Sequence, residues 1–330
     1  MKKILIITDN LPDQINGVVT TYKNIEACAV RDDYNFVYIT PDEFRHFDCP
    51  VYNEVKIAYP RNMGEKIAEI RPDHIHIATE GPVGLWARAY LTKRGINYNT
   101  SYHTRFPEGL HKLLKIPPQL TWRYIRWFHK HSGRCLTTTQ TVKEQLEQHG
   151  LNNVVTWTRG VDREIFNPQP QKHRQLTTLL CVSRVSAEKS LEDFCRLQIP
   201  NTKKILVGDG PQLGYLRQHY PDVIFTGFKV GHELAEYYQQ ADVFVFPSSW
   251  DTFGIVMLEA IACGTPVAAY PVPGPQDVVE CGVNGYLDRD LSVAVVRALK
   301  LDRDLVYSSS LHWTWQSCWE IFRDNLVRPR

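Results

Sequence analysis

Apolar positions along the chain fall into two rhythms. Short runs that are apolar on both faces occur at Lys3–Ile7, Asn35–Ile39, His74–Ile77, Thr178–Val182, Lys204–Val207, Val223–Phe225, Val243–Phe246 and Val267–Ala269. Amphipathic stretches such as Asp193–Leu197, Gln212–Gln218 and Glu233–Gln240 lie between several of them. Strands without a polar face, alternating with helices, predict parallel sheets covered on both sides. The stretch Phe166–Thr177, FNPQPQKHRQLT, holds two prolines and has no apolar period; a buried strand begins again after it. The expected organisation is α/β, with two Rossmann-like domains at 1–165 and 178–310 joined by a linker at 166–177. A closing helix is expected at 311–330, where Trp315, Trp319 and Phe322 recur at helical spacing as core positions. Two such parallel sheets turn their carboxyl ends toward a shared cleft, and open α/β sheets bind ligands at those ends.

Composition narrows the class. The 330 residues are 43% hydrophobic and 22% charged, a globular profile with enough chain for two cores. The net charge of +2 argues against a general nucleic-acid binder. In MKKILIITDN the apolar run Ile4–Ile7 ends at Thr8 and Asp9, too short for the roughly 7–15 residues of a secretory segment. No run reaches the roughly 18–20 apolar residues of a membrane span, so a cytoplasmic protein is expected. The eight cysteines contain no C-x-x-C pair and read as reduced thiols, not as disulfides or zinc ligands.

The loop after the first strand, TDNLPDQINGVVTT, offers only Gly17, so a G-x-G-x-x-G dinucleotide site is not expected there. Gly208-Asp209-Gly210-Pro211 reads as a tight turn into a helix. The triplets Asp288-Arg289-Asp290 and Asp302-Arg303-Asp304 could hold a divalent cation, but both follow polar stretches and read as a solvated turn and a helix edge. No metal site is expected. In the second half, Arg184 and Lys189 lie five residues apart across a strand-to-helix turn, where a cation pair can neutralise a diphosphate. Further on, a buried strand ends at Pro247 and Gly254 opens an apolar helix, whose free amides form an anion site. Asp251 precedes that helix and Glu259 follows eight residues later, a span of up to about 12 Å that suits a sugar at one end and a ribose at the other. Glu259 lies within IVMLEAIA, where a carboxylate demands a partner. In the first half, His103 follows a strand-like entry within NTSYHTRFPE, with Arg105 and Glu108 nearby.

The segment His111–Arg134 carries six Lys/Arg and no acidic residue, in a chain whose total is +2. From Pro118 it can be helical, with Arg123, Arg126 and Lys130 on one face and Leu120, Tyr124, Trp127 and Phe128 on another. A basic, Trp-bearing amphipathic helix fits an anionic membrane surface; an ordinary domain helix with solvated charges is the competing reading. Lys112, Lys115 and Trp122 belong to the same patch, which adjoins the predicted acceptor side of the cleft.

Taken together, N-G-V-V at 16–19, PDHIHIATEGPVGLWAR at 72–88, SYHTRFPE at 101–108, SRVSAEK at 183–189, GDGP at 208–211 and DTFGIVMLEAIACGTPV at 251–267 resemble the retaining GT-B glycosyltransferases of family 4. The chain also resembles the lipid-directed branch of that family, with its sulfoquinovosyl-, diacylglycerol- and phosphatidylinositol-directed enzymes. The resemblance implies that Arg184 and Lys189 hold a pyrophosphate with the amides of Gly17 and of Phe253-Gly254-Ile255. It implies further that Glu259 meets the ribose, Asp251 the donor sugar hydroxyls, and His103 the sugar near the reacting carbon. The family motif is Glu, seven residues, Glu; here the first position is Asp251, one methylene shorter. It also suggests that the closing helix packs on the first domain. Retention of configuration is implied by the resemblance alone.

The expected activity is therefore metal-independent transfer of a hexose from a nucleotide-diphosphate sugar to a lipid or lipid-linked acceptor, by an enzyme peripheral to the inner membrane face. No cofactor beyond that substrate is expected. The rivals are a sugar-to-sugar transferase of cell-surface polysaccharide synthesis, a GT-B-like sugar-nucleotide epimerase, and a binding module without turnover.

Overall fold

The structure, a computed structural model, describes residues 1–14, 16–48, 56–103, 115–170, 175–249 and 251–329. Two compact units are present: Met1–Arg159 with Trp315–Arg330, and Gly160–Thr314.

In the first unit β1 (Lys2–Ile7), β2 (Tyr34–Ile39), β5 (His74–Ile77), β6 (Asn99–Tyr102), β7 (Cys135–Thr137) and β8 (Val154–Thr156) form a six-stranded sheet in the order β2-β1-β5-β6-β7-β8. All its pairs are parallel. A small antiparallel hairpin of β3 (His46–Asp48) and β4 (Lys56–Ala58) lies beside it. Ile4, Leu5, Ile6 and Ile7 are all fully buried, which only a sheet covered on both faces allows. Helix Trp315–Asp324 belongs to this unit: Cys318, Trp319 and Phe322 are buried with Ile4, Ile6, Tyr22 and Trp157. Its outer edge is pinned where Trp319 Nε1 and Arg323 Nη1 both donate to Asp32 Oδ2, at 2.8 and 2.6 Å.

In the second unit β9 (Thr177–Val182), β10 (Thr202–Val207), β11 (Val223–Gly227), β12 (Val243–Phe246), β13 (Val267–Ala269) and β14 (Gly285–Leu287) form a second parallel sheet, in the order β11-β10-β9-β12-β13-β14. Counted by strand within each sheet, the first order is 2-1-3-4-5-6 and the second 3-2-1-4-5-6; both are doubly wound. In each, the chain runs from the first strand to one edge and then returns to build the other side, leaving a crevice at the carboxyl ends of β1 and β5 in the first sheet and of β9 and β12 in the second.

Differences from the expected elements have physical causes. The division between units falls at Gly160, ahead of the polar stretch, because Val161 and Phe166 are already buried in the second core. Strand β6, Asn-Thr-Ser-Tyr, has no apolar run, yet all four residues are buried. Its polar groups are satisfied internally: Asn99 Nδ2 donates to the Asn325 carbonyl at 2.8 Å, and Ser101 Oγ lies 2.7 Å from His76 Nε2. Helix Leu191–Cys195 begins two residues before the expected Asp193, because left-handed Ser190 (φ 51°) ends the preceding turn and releases the chain into it.

Candidate functional site

The crevice of the second sheet collects most of the second-half candidates. Lys189 ends a 3-10 turn, Ala187–Lys189, in the loop after β9; Asp251 lies in the loop after β12. Lys189 Nζ donates to Asp251 Oδ1 at 2.7 Å, with the two side chains only 20% and 23% exposed. Burial opposes ionisation of Asp251, but Lys189, Ser248 and Arg184 outweigh it and hold the carboxyl below its usual range. Asp251 Oδ2 is buried without a hydrogen-bond partner among the described residues. Arg184 is more open and pairs with Glu188, which also accepts from the Ser186 hydroxyl at 2.6 Å. Both cations thus rest on carboxylates that an incoming anion would have to displace.

Backbone geometry holds this loop. Val185 N donates to the Asp209 carbonyl at 2.8 Å, and Gln212 N to the Val185 carbonyl at 3.0 Å. A Cβ on Gly208 (φ 146°) would stand 1.8 Å from the Ser183 carbonyl oxygen, and one on Gly210 (φ 154°) would stand 2.5 Å from that of Val185. The GDGP turn is therefore a close backbone approach that clamps the segment carrying Arg184.

Helix Ile255–Ala262 starts at Gly254 (φ 86°, ψ 75°) with no side-chain cap and no acidic residue in its first turn. The amides of Gly254 and Ile255 have no partner among the described residues, which leaves the positive end of the helix open beside Asp251. Phe253 is buried in the apolar core. Glu259 is partly buried and finds the partner its surroundings demand: Tyr238 Oη donates to Oε2 at 2.8 Å. Burial pushes the Glu259 carboxyl up to about 7, the phenol offsetting only part of the cost.

In the first unit, His103 follows β6. Its Nδ1 lies 3.1 Å from Arg159 Nη2, and its Nε2 lies 3.5 Å from Tyr22 Oη. Gly17 opens helix Gly17–Arg31; the Asn16 side chain takes the amides of Val18 and Val19 and leaves that of Gly17 outside the cap. The crevice of this sheet is bridged by Asp9, which accepts from Val83 N at 2.8 Å and from the Thr79 hydroxyl at 2.7 Å. Burial raises the Asp9 carboxyl to about 6. Behind it, His129 Nε2 and Glu80 Oε1 form a buried pair at 3.2 Å. Burial works against the imidazolium, but Cys135 and Glu80 together push His129 up to about 10.

The basic helix spans Pro118–His129, and one expectation about its faces is corrected. Thr121, Ile125, Phe128 and His129 face the core, whereas Leu120 and Trp127 are 55% and 43% exposed alongside Arg123, Arg126 and Lys130. Leu120 and Trp127 lie one to three residues from these cations, so the solvent side mixes apolar and cationic groups. Arg88 fixes Trp127: its guanidinium lies 3.7 Å from the ring centroid and donates to the carbonyls of Trp127 and Phe128. A hollow of about 390 Å³ at the helix start is lined by Trp122, Arg123, Arg126 and His149, with the Trp122 and His149 rings stacked at 3.8 Å. Lys115 is exposed; Arg105, Glu108 and Lys112 lie outside the described residues.

Both acidic triplets cap helices: Asp290 Oδ1 accepts from Ser292 N at 2.8 Å and Asp302 Oδ1 from Asp304 N at 2.8 Å. Among the described residues no group of three His, Cys, Asp or Glu could hold a metal ion, and no helix is long and apolar enough to cross a membrane. Four residues of the site escaped the sequence reading: Tyr238, Glu188, Asp9 and Arg159. Each acts across a gap in the chain or inside an ordinary charged turn, and none carries a local signature.

Two six-stranded parallel sheets, each in doubly wound order, define the GT-B class. The fold of sucrose-phosphate synthase from Thermosynechococcus elongatus matches over 98% of this chain and 99% of that one, with a TM-score of 0.77 at 19% identity. Residues 15–165 match the model of Glycosyltransferase Family 4, and residues 177–300 that of Glycosyl transferases group 1. The chain belongs to the family 4 glycosyltransferases. A GDP-mannose-dependent alpha-mannosyltransferase of Corynebacterium glutamicum is 27% identical, over 86% of this chain and 76% of that protein. The sulfoquinovosyl transferase of Arabidopsis thaliana is 30% identical, over 80% of this chain and 59% of its own length. The alpha-monoglucosyldiacylglycerol synthase of Streptococcus pneumoniae is 25% identical, over 98% of this chain and 83% of its own.

Proposed function

We propose that this glycosyltransferase moves a hexose, with retention of configuration, from a nucleotide-diphosphate sugar to a membrane lipid or lipid-linked acceptor. The observation that carries the reading is the meeting of Lys189 with Asp251, under the charge of Arg184 and beside the uncapped helix at Gly254. Glycosyl transfer builds positive charge on the sugar and negative charge on the departing diphosphate. Fixed donors aimed at that charge cost no reorganisation when the bond breaks. Lys189 and Arg184, with the amides of Gly17, Phe253, Gly254 and Ile255, take the diphosphate. Lys189 then leaves Asp251 free to accept from the sugar hydroxyls, Glu259 accepts from the ribose, and His103 contacts the sugar.

The acceptor side rests on the exposed basic helix. Leu120 and Trp127 stand among Arg123, Arg126 and Lys130, with Lys115 just ahead of the helix, an arrangement suited to the anionic cytoplasmic leaflet. Each cation near such a surface contributes about 1 kcal/mol. The similarity to a relative named for making monoglucosyldiacylglycerol supports a lipid acceptor.

A donor-turnover assay tests the proposal. Release of free nucleoside diphosphate supports transfer, interconversion of the sugar nucleotide supports an epimerase, and binding without turnover supports a sensor. Lys189→Ala is expected to lower turnover by about 100-fold or more, the scale of one lost transition-state contact. Turnover like that of the wild type would remove Lys189 from the site.

A further inference from the structure

We propose that Arg159 is a positioning residue that fixes His103 as the neutral tautomer carrying its proton on Nε2. His103 then offers a hydrogen-bond donor to the sugar and takes no part in proton transfer. The placement at the sugar rests on the function proposed above; the tautomer does not.

A guanidinium has five N–H groups, no acceptor, and stays charged at any working pH. The imidazole nitrogen it meets must therefore supply a lone pair. Arg159 Nη2 lies 3.1 Å from His103 Nδ1, so Nδ1 is bare and the proton sits on Nε2. Protonating Nδ1 would set N–H against N–H and place two positive charges in contact.

Arg159 is held in place. It is only 3% exposed, its Nη1 donates to the carbonyls of Trp157 and Thr158 at 2.8 and 2.9 Å, and its guanidinium lies 4.5 Å from the Trp157 ring centroid. The closing helix holds Trp157 in turn: Trp157 Nε1 donates to the Cys318 carbonyl at 2.9 Å, and Cys318 Sγ meets the Thr158 carbonyl at 3.1 Å. Helix Trp315–Asp324 thereby braces the contact that orients His103.

The other groups facing His103 do not favour an imidazolium. Helix Gly17–Arg31 presents the neutral Tyr22 phenol, and β5 presents His76, which burial keeps uncharged. The cationic His129, from helix Pro118–His129, adds repulsion. Burial and Arg159 lead in holding His103 well below its ordinary pKa, and His76 and His129 act in the same direction. The reaction has a use for this state. A cation beside an oxocarbenium-like carbon would raise its energy, whereas a neutral N–H can hold a hydroxyl without that cost.

The test uses the full chain with 15N-labelled histidine, following the His103 ring nitrogens by NMR from pH 5 to 8. His103→Gln supplies the assignment. The wild type should show a bare Nδ1, a protonated Nε2 and no titration. Arg159→Met should show a mixture of tautomers and a pKa raised above that of the wild type, with burial still holding it below the ordinary 6.5, and Arg159→Lys should restore part of the wild-type pattern. At saturating donor, the Met/wild-type ratio of kcat should fall about 10-fold over the two pH units centred on the pKa that NMR reads for the Met variant, as His103 goes from about one-tenth to about nine-tenths charged. A protonated Nδ1, or titration near 6.5 in the wild type, overturns the proposal even if Arg159→Met does not fold. The expected NMR pattern with a kcat ratio constant in pH would uphold the tautomer control and remove His103 from the sugar.

Discussion

Glu259 ties stability and binding to one proton. Its carboxyl has an ordinary value of 4.5 and is pushed up to about 7 in the folded chain. The folded state therefore binds more protons than the unfolded state between those values, and stability must fall as pH rises through that window. A shift of about 2.5 units at 1.36 kcal/mol each is a loss of about 3 kcal/mol once pH exceeds 7. Glu259→Gln keeps the side-chain shape and an acceptor for Tyr238 but cannot ionise. Its Tm relative to the wild type should thus climb by roughly 6 °C or more between pH 5 and 8, at about 2–4 °C per kcal/mol for a unit of this size. Nucleoside diphosphate should reverse the trend. If the ionised carboxylate accepts from a ribose hydroxyl, wild-type affinity weakens about 10-fold from pH 8 to 6, while the Gln variant binds weakly at both. Thermal shift across a pH series, with and without nucleotide, reads both effects. Melting curves of the two proteins that stay parallel from pH 5 to 8 would mean that Glu259 is ionised as readily in the folded chain as in the unfolded one.

Two further outcomes follow from named contacts. Glu80→Gln strips the buried His129 of its carboxylate and should cost about 3 kcal/mol in urea unfolding at pH 6. Because His129 is raised to about 10, its stabilisation is complete below about 6.5 and is lost as pH climbs toward 10, so the deficit should shrink at pH 9–10; a constant deficit would contradict the pairing. In vesicle flotation the wild type should rise with anionic vesicles, and Arg123→Glu/Arg126→Glu should remain in the soluble fraction. Equal recovery with neutral and anionic vesicles, unchanged by the double substitution, would discard membrane docking.

Much of the architecture was legible along the chain. Runs such as Ile4–Ile7, Leu179–Val182 and Val243–Phe246 are apolar on both faces, and a parallel sheet between helices buries such runs without an exposed face. The strand-to-helix turns bearing Arg184, Lys189 and Gly254 were equally local, because turn chemistry and helix starts are written in a few adjacent residues. Strand β6 was legible only as a strand-like entry before His103; its burial was not, because it is stabilised by Asn325, Ser132 and His76, partners brought close only by the finished sheet.

The fold class, the strands that carry an apolar run, and the loops that follow them can be read from the linear chain, since each follows from periodicity over a few residues; short strands such as β7, β8 and β14 cannot. Only tertiary structure decided which charges meet. It paired Lys189 with Asp251 across 62 positions, Tyr238 with Glu259, and Arg159 with His103. It also turned Leu120 and Trp127 outward, because Ile125 and Phe128 had claimed the core. Protonation states depend on burial and on distances of a few ångströms, and a linear order of residues carries neither.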